Sequence, residues 1–462
     1  MTGSVKNQYL ATICANIMAL GYGSFCGWPS AAFLVLQSDE SPMIGGPISN
    51  EEASWIGAIV CAGGFMGTFF FGWLSNKMGR KIALLLSAVP MIIAFLMIPF
   101  SKTVMHLCMS RLLGGFAGGG AFAVIPIYIT EIAEDRVRGS LGSTIVLFCN
   151  VGILVAFVYG NYFSYTLSPF LLAIFPAIFF FLFVFLPDTP PQLMRMKKHE
   201  QAEKALKYFR SVRGSTEKVS EDLMAELEKL KGDSNDLKKE DSDDGNVTLA
   251  DFNTPVAKKA MFIGIVLMAL NQFCGCFAMI NYTGTIFEQA GSSLSPNMSA
   301  IIVAFIQLLG SYASTMLVEK AGRKILYLAS AIGTGIGLSV LGLYINLNSM
   351  GYDCTNFKWV PIGSFSLTIF FASIALLTLP FLVIAEILPP KIRALGSNIC
   401  MTLLWIFCFL IIKFLPKLTD ILGLHGLMLL FASCCFLGAA FIIVFLPETK
   451  GRSIEEILAL LE

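Results

Sequence analysis

Residues 131–139 read EIAEDRVRG, and residues 386–394 read EILPPKIRA. Glutamate, isoleucine, a basic residue at plus five and arginine at plus seven recur 255 positions apart. Two further motifs return with nearly the same offset. NKMGRK (76–81) comes back as EKAGRK (319–324), 243 residues on, and PDT (187–189) as PET (447–449), 260 residues on. Offsets that differ only by loop-sized insertions are the mark of a duplicated unit. The chain therefore reads as two homologous halves.

Composition says what kind of halves these are. Of 462 residues, 56% are hydrophobic and 14% charged, with a mean hydropathy of +0.73. A soluble domain is nearer a quarter charged, so this is a membrane composition. A net charge of +1 gives no footprint for nucleic acid. MTGSVKNQ lacks a cationic run, and the first apolar stretch is too long for a cleavable signal, so the first helix is expected to stay. Most of the 12 cysteines lie in apolar runs, with Cys354 the clear loop cysteine. Free thiols are expected, and Cys274 and Cys276, with no histidine nearby, do not make a metal site.

Crossing the ~30 Å hydrocarbon layer takes about 20 apolar residues as a helix. Twelve runs fit, near 10–33, 53–74, 82–100, 104–129, 140–162, 166–187, 260–288, 299–318, 325–345, 361–388, 395–416 and 425–446. Placing both termini in the cytoplasm puts 27 of the 32 Lys and Arg residues on that side, and the positive-inside bias selects this topology. The expected fold is an all-α membrane protein of twelve transmembrane helices in two pseudo-symmetric six-helix bundles. Its parts are an N-terminal bundle (1–187), a cytoplasmic helical linker (188–259), a C-terminal bundle (260–446) and a cytoplasmic tail (447–462). In the linker, Ala202, Ala205, Leu206 and Phe209 have amphipathic helical spacing, as do Leu223, Leu227 and Leu230. The run 231–246 is charged and without aromatics. The sequons at Asn246, Asn281 and Asn297 are poorly placed for glycosylation.

The repeated charges call for a reason, because a lone ion at mid-bilayer costs roughly 2.5–3.5 kcal/mol on insertion scales. Glu131, Arg138 and Arg80, and their counterparts Glu386, Arg393 and Arg323, all fall at cytoplasmic helix ends. They read either as plain positive-inside anchors and caps, or as a salt-bridge lattice between helices that forms and breaks as that face closes and opens. Their recurrence as a set favours the lattice, a conformational latch.

With these motifs in place, the chain resembles the major facilitator superfamily, its sugar-porter branch in particular. LGGFAGGGAFAVIPIYITEIAEDRVR (113–138) matches the signature of that branch at Leu113, Gly115, Phe116, Gly119, Tyr128, Glu131 and Arg138. Two GRK motifs, PDTPP and PETKG extend the likeness over the whole chain, and the wording of 380–393 and 447–457 is most similar to insect facilitated trehalose transporters. The resemblance implies two bundles around a midplane cavity and rocker-switch alternating access. It also adds Glu319, the acid of the second GRK motif, to the latch; its counterpart in the first is Asn76.

A sugar site needs neutral hydrogen-bonding groups and an aromatic face. The family's Gln-Gln-x-x-Gly-x-Asn of span seven reads NQFCGCF here, which implies Asn271 and Gln272 as sugar contacts, with Asn281 and Tyr282 a turn on and Gln307 in span eight. Phe381 and Trp405 are the expected aromatic wall. The sequence also departs from the pattern: Phe277, Val146, Leu404 and Cys408 stand where amides are usual, and span ten has lost its glycines. No acid lies in span one, nor in span four before Glu131, so passive facilitation is expected rather than proton coupling. The implied function is a facilitative transporter of trehalose or a hexose in the cell membrane, with no cofactor, no enzymatic activity and no nucleic-acid partner. A less polar solute on the same fold, or a non-transporting sensor, is the alternative. The oligomeric state is not readable.

Overall fold

The computed structural model of the chain describes residues 5–211, 227–228, 251–291, 294–353, 355–452 and 454–461, apart from the side chains of a few helix residues such as Glu319. Cys354, Leu223, Leu230, the run 231–246 and its Asn246 sequon lie outside the described residues. Every regular element among the described residues is helical. Among the described residues, nine helices are long and apolar enough to cross a membrane. The longest of them, Arg393–Phe445, is two spans joined at Gly423, whose φ of 70° breaks the helix. Two shorter apolar segments, Leu167–Phe183 and Val360–Ile374, complete twelve spans. The chain is a multi-pass membrane protein of two six-helix bundles.

Local chemistry sets the ends of these spans. Span 2 (Asn50–Met78) opens on a capping box in which Ser49 Oγ accepts from the Glu52 amide and Glu52 returns a bond to the Ser49 amide. Span 4 (Val104–Ile132) opens on Thr103, which accepts from the His106 amide. Spans 2 and 4 press together through glycine: a Cβ on Gly115 would lie 2.0 Å from the Val60 carbonyl. Backbones meet at that distance only where side chains are absent.

Two spans are broken. Span 7 runs Pro255–Phe273, Cys276–Asn281 and Thr283–Ala290, interrupted at Gly275 (φ 75°). Span 10 runs Val360–Ile374 and then Pro380–Ile387. Broken helices inside a membrane must satisfy their freed backbone groups from neighbours. Here Asn271 Nδ2 donates to the Leu376 carbonyl (2.7 Å), and Ser330 Oγ accepts from the Leu376 amide (3.1 Å).

Both chain ends lie at one face of the bundles, which we call the terminal face. The helix His199–Phe209 covers the first bundle there, burying Ala202, Ala205, Leu206 and Phe209 as its spacing predicts. Gln8 and Arg210 tie it down through the Phe209 and Ile132 carbonyls. Leu227, the one described member of the second amphipathic set, is also buried.

Candidate functional site

At the terminal face, the repeated motifs converge into one cluster per half, and the two clusters are near copies. In the first, Arg80 Nη2 pairs with Glu131 Oε1 at 3.0 Å, and Thr189 Oγ1 donates to Glu131 Oε2. In the second, Arg323 Nη2 pairs with Glu386 Oε1 at 3.1 Å, and Thr449 Oγ1 donates to Glu386 Oε2. Each glutamate is thus shared by the arginine of GRK and the threonine of PDT or PET. Within the described residues these pairs join helices of the same half.

The arginines at plus seven do something else. Arg138 donates to the Ala133 carbonyl and Arg393 to the Leu388 carbonyl, the C-cap residues just past spans 4 and 10. They cap the helix that carries the glutamate rather than pairing with that glutamate's carboxylate, and charge at a helix C-terminus is stabilising. The side chain of Glu319 is outside the described residues.

The acids of PDT and PET cap the helix that starts within each GRK, at Arg80 and at Arg323. Asp188 Oδ1 accepts from the Lys81 and Thr189 amides. Glu448 accepts from the Arg323 amide (2.9 Å) through Oε1 and from the Lys324 amide (3.1 Å) through Oε2. Each carboxylate sits against a glycine with left-handed φ, Gly79 at 107° and Gly322 at 88°. A Cβ on Gly79 would lie 2.1 Å from Asp188 Oδ2, so both conformation and space demand glycine. The two acids nevertheless titrate in opposite directions. Burial, aided by Glu131, raises the Asp188 pKa against the pull of its amide bonds and Arg80. Glu448 is also penalised by burial, but the amides of Lys450, Arg323 and Lys324 outweigh it and lower its pKa.

Away from the terminal face, the two bundles meet along tight seams. Between span 5 (Thr144–Tyr162) and span 8 (Pro296–Ala321), Gln307 Nε2 donates to Asn150 Oδ1 (3.1 Å), and Asn150 Nδ2 donates to Ser311 Oγ. All three are buried. Between span 2 and span 11, the part of Arg393–Phe445 before Gly423, Trp405 Nε1 donates to Thr68 Oγ1 (3.2 Å), and its ring lies 2.6 Å from where a Gly64 Cβ would be. One turn on, Cys61 and Cys408 face each other with sulfurs 3.1 Å apart. A further turn on, Lys413 donates to Ser54 Oγ (2.8 Å), rests 4.4 Å from the Trp55 ring centroid and lies 3.6 Å from Glu51. Tyr282 of span 7 closes on span 1 (Lys6–Leu36), its ring 5.3 Å from that of Phe33. These contacts join the halves from mid-depth to the face opposite the termini. That face is closed.

The structure thus divides the expected binding residues. Gln307, Trp405 and Tyr282 stand on the seams between halves. Asn271 and Gln272 sit at the break of span 7, with Gln272 Nε2 donating to Asn271 Oδ1 (2.6 Å). Asn271 is engaged in holding the break of span 10, described above. Asn281 bonds the Phe277 carbonyl and leaves Oδ1 buried without a partner, as does the Tyr282 hydroxyl. They are two of several buried polar atoms left without a partner among the described residues. Phe381 is half-buried beside the core.

Three members of the seams were not legible from the motifs. Asn150 lies one helical turn from Val146, where an amide was sought, and a lone asparagine in the apolar run TIVLFCNVGILV is its only signal. Lys413 is a cation in the apolar run of span 11, four residues before Lys417. Thr68 carries no sequence signal. Buried Arg111 is held by the Phe25 and Ile56 carbonyls and lies over the Phe25 ring. Its hydrogen bonds run to backbone oxygens.

The chain matches the family model described as Sugar (and other) transporter over residues 10–461. It is 32% identical over 453 residues to the facilitated trehalose transporter Tret1 of Drosophila pseudoobscura pseudoobscura, covering 98% of this chain and 51% of that protein. It is 31% identical to the facilitated trehalose transporter Tret1 of Polypedilum vanderplanki, covering 98% of this chain and 88% of that one. The chain therefore spans about half the length of the Drosophila protein and most of the other. Among solved structures, it is similar to the inward-open conformation of the xylose transporter XylE from E. coli, with a TM-score of 0.78 at 22% identity, covering 98% of this chain and 100% of that one.

Proposed function

The chain belongs to the sugar-porter family of the major facilitator superfamily, and we propose that it carries a sugar, trehalose or a hexose, down its gradient by alternating access. The observation that carries this reading is the pair of seams at which amides and an indole of opposite halves meet, Gln307 with Asn150 and Trp405 with Thr68. A solute with several hydroxyls takes the place of such bonds when the halves part, and it is released when they re-form. Gln272, Asn271, Asn281 and Tyr282 contribute from span 7, and Phe381 and Trp405 offer the apolar face. Facilitation without a coupled ion fits the absence of any acid from span one and from span four before Glu131.

We assign the terminal face to the cytoplasm, from its share of Lys and Arg, and the protein to the cell membrane. The units are 1–187, 188–259, 260–446 and 447–462. Arg80, Glu131, Arg138, Glu319, Arg323, Glu386 and Arg393 form the latch of the cytoplasmic face. In the conformation described, Arg80–Glu131 and Arg323–Glu386 each bind one half together, which suits an open cytoplasmic face. When that face closes, the partly exposed carboxylates come opposite the other half. A less polar solute is the second reading, favoured by the thiols of Cys61 and Cys408 at mid-seam.

A thermal-shift screen of the purified protein against trehalose, glucose, other common sugars and a panel of apolar solutes separates the readings. Stabilisation by a sugar supports the first. Stabilisation by apolar solutes alone overturns it.

A further inference from the structure

We propose that Cys61 and Cys408 form a redox-sensitive lock between the two halves: a peroxide oxidises the pair to a disulfide that fixes the face opposite the termini shut. Both thiols are buried, one on span 2 and the other on span 11, and their sulfurs stand 3.1 Å apart. A disulfide needs about 2.05 Å, so the sulfurs have roughly 1 Å to travel. Side-chain rotation accounts for motion of that size. The remaining cysteines among the described residues are free as well, so the pair is reduced as it stands.

Position gives the pair its consequence. The rungs on either side, Gly64 with Trp405 and Gly57 with Ile412, are contacts too close to add a single carbon, so the seam is at its tightest where the sulfurs meet. Spans 2 and 11 belong to different bundles, and they must separate for the closed face to open. A covalent bond at mid-seam forbids that separation. The step balances as two thiols plus one hydrogen peroxide giving one disulfide and two waters. The sulfurs lose two electrons, the peroxide O–O bond accepts them, and the two thiol protons leave as water. Peroxide is uncharged and close to water in size, which suits it to a buried seam between two bundles.

The lock's effect on flux rests on the transport reading above, but its formation does not, and the test separates the two. Purified full-length protein is treated with hydrogen peroxide, its free thiols are alkylated, and it is digested without reductant for peptide mapping. The expected result is a linked pair of peptides carrying Cys61 and Cys408, released by dithiothreitol and absent from both Cys61→Ser and Cys408→Ala. Accessibility of the closed face, read as labelling of a cysteine introduced by Ala53→Cys with an impermeant maleimide, should fall at least tenfold on oxidation and recover on reduction. Cys408→Ala should show no such fall. Complete alkylation of both native thiols after peroxide, or linkage of either to a third cysteine, overturns the proposal. A linked pair that leaves accessibility unchanged overturns the lock. Loss of accessibility with no sugar flux in any state leaves the lock standing and removes the transport reading.

Discussion

Lys413 should hold the closed face shut, and replacing it with methionine should open that face. Methionine keeps most of the lysine stem and its packing while removing the ammonium. Three interactions across the halves are lost. The hydrogen bond to Ser54 Oγ, 2.8 Å, involves a charged donor and contributes about 1.5–3 kcal/mol. The cation–π contact with Trp55, 4.4 Å to the centroid, adds about 0.5–2 kcal/mol in a site where the lysine side chain is 14% exposed. The pair with Glu51, at 3.6 Å to a carboxylate 80% exposed, adds least. Removing a largely buried charge also recovers desolvation energy, so the net shift is about 2–3 kcal/mol. At 1.4 kcal/mol per decade, the open population rises roughly 30- to 150-fold. The labelling rate of the Ala53→Cys cysteine by an impermeant maleimide, resolved by peptide mass, is proportional to that population even when it is rare. Ser54→Ala, which removes one bond, should produce a smaller rise. A rate in Lys413→Met within twofold of the parent, or a slower one, would refute this account of the seam.

Three further outcomes follow from the same structure. Gln272→Ala should raise the half-saturating sugar concentration about 2- to 12-fold, the equivalent of one hydrogen bond of about 0.5–1.5 kcal/mol, as read by concentration-dependent uptake. Glu386→Ala should lower the melting temperature by several degrees, because buried Arg323 loses the Glu386 carboxylate while keeping the Val318 carbonyl; breaking such a pair costs about 3 kcal/mol at the low end, apt for a glutamate 22% exposed. Glu448→Gln should destabilise and Asp188→Asn should not: Glu448 uses both oxygens to accept amides, whereas Asp188 takes both through Oδ1, which asparagine retains. The pH dependence has the matching signs. The lowered pKa of Glu448 makes its contribution complete above the ordinary glutamate range and lost as pH falls through the lowered value. The raised pKa of Asp188 does the reverse, with stability declining as pH rises from the ordinary aspartate value toward the raised one. Melting curves of the two variants across the acidic range read both.

Periodicity and charge bias made the spans legible, because a helix in lipid must be long, apolar and flanked by its cations. The duplicated motifs likewise announced the clusters at the terminal face. What they could not announce was pairing: Glu131 and Arg138 look like partners in EIAEDRVRG, yet Glu131 reaches Arg80 on another helix while Arg138 turns back to cap its own. The candidate site was read less well, for a physical reason. Amides such as Asn271 are as apt for satisfying a broken helix as for holding a ligand, and only the position of the Leu376 carbonyl tells which. Asn150 and Lys413 matter through what faces them from the other half, and that is fixed by packing between distant segments rather than by any local pattern.

The central claim is that the chain moves a sugar passively between two alternately open faces. Counterflow in proteoliposomes tests it most directly: vesicles loaded with unlabelled trehalose or glucose are diluted into trace radiolabelled sugar with no pH gradient. The account predicts a transient accumulation of label that needs no proton gradient and collapses on oxidation in the parent but not in Cys408→Ala. No counterflow for any common sugar, with the protein shown to be inserted and folded, would contradict it.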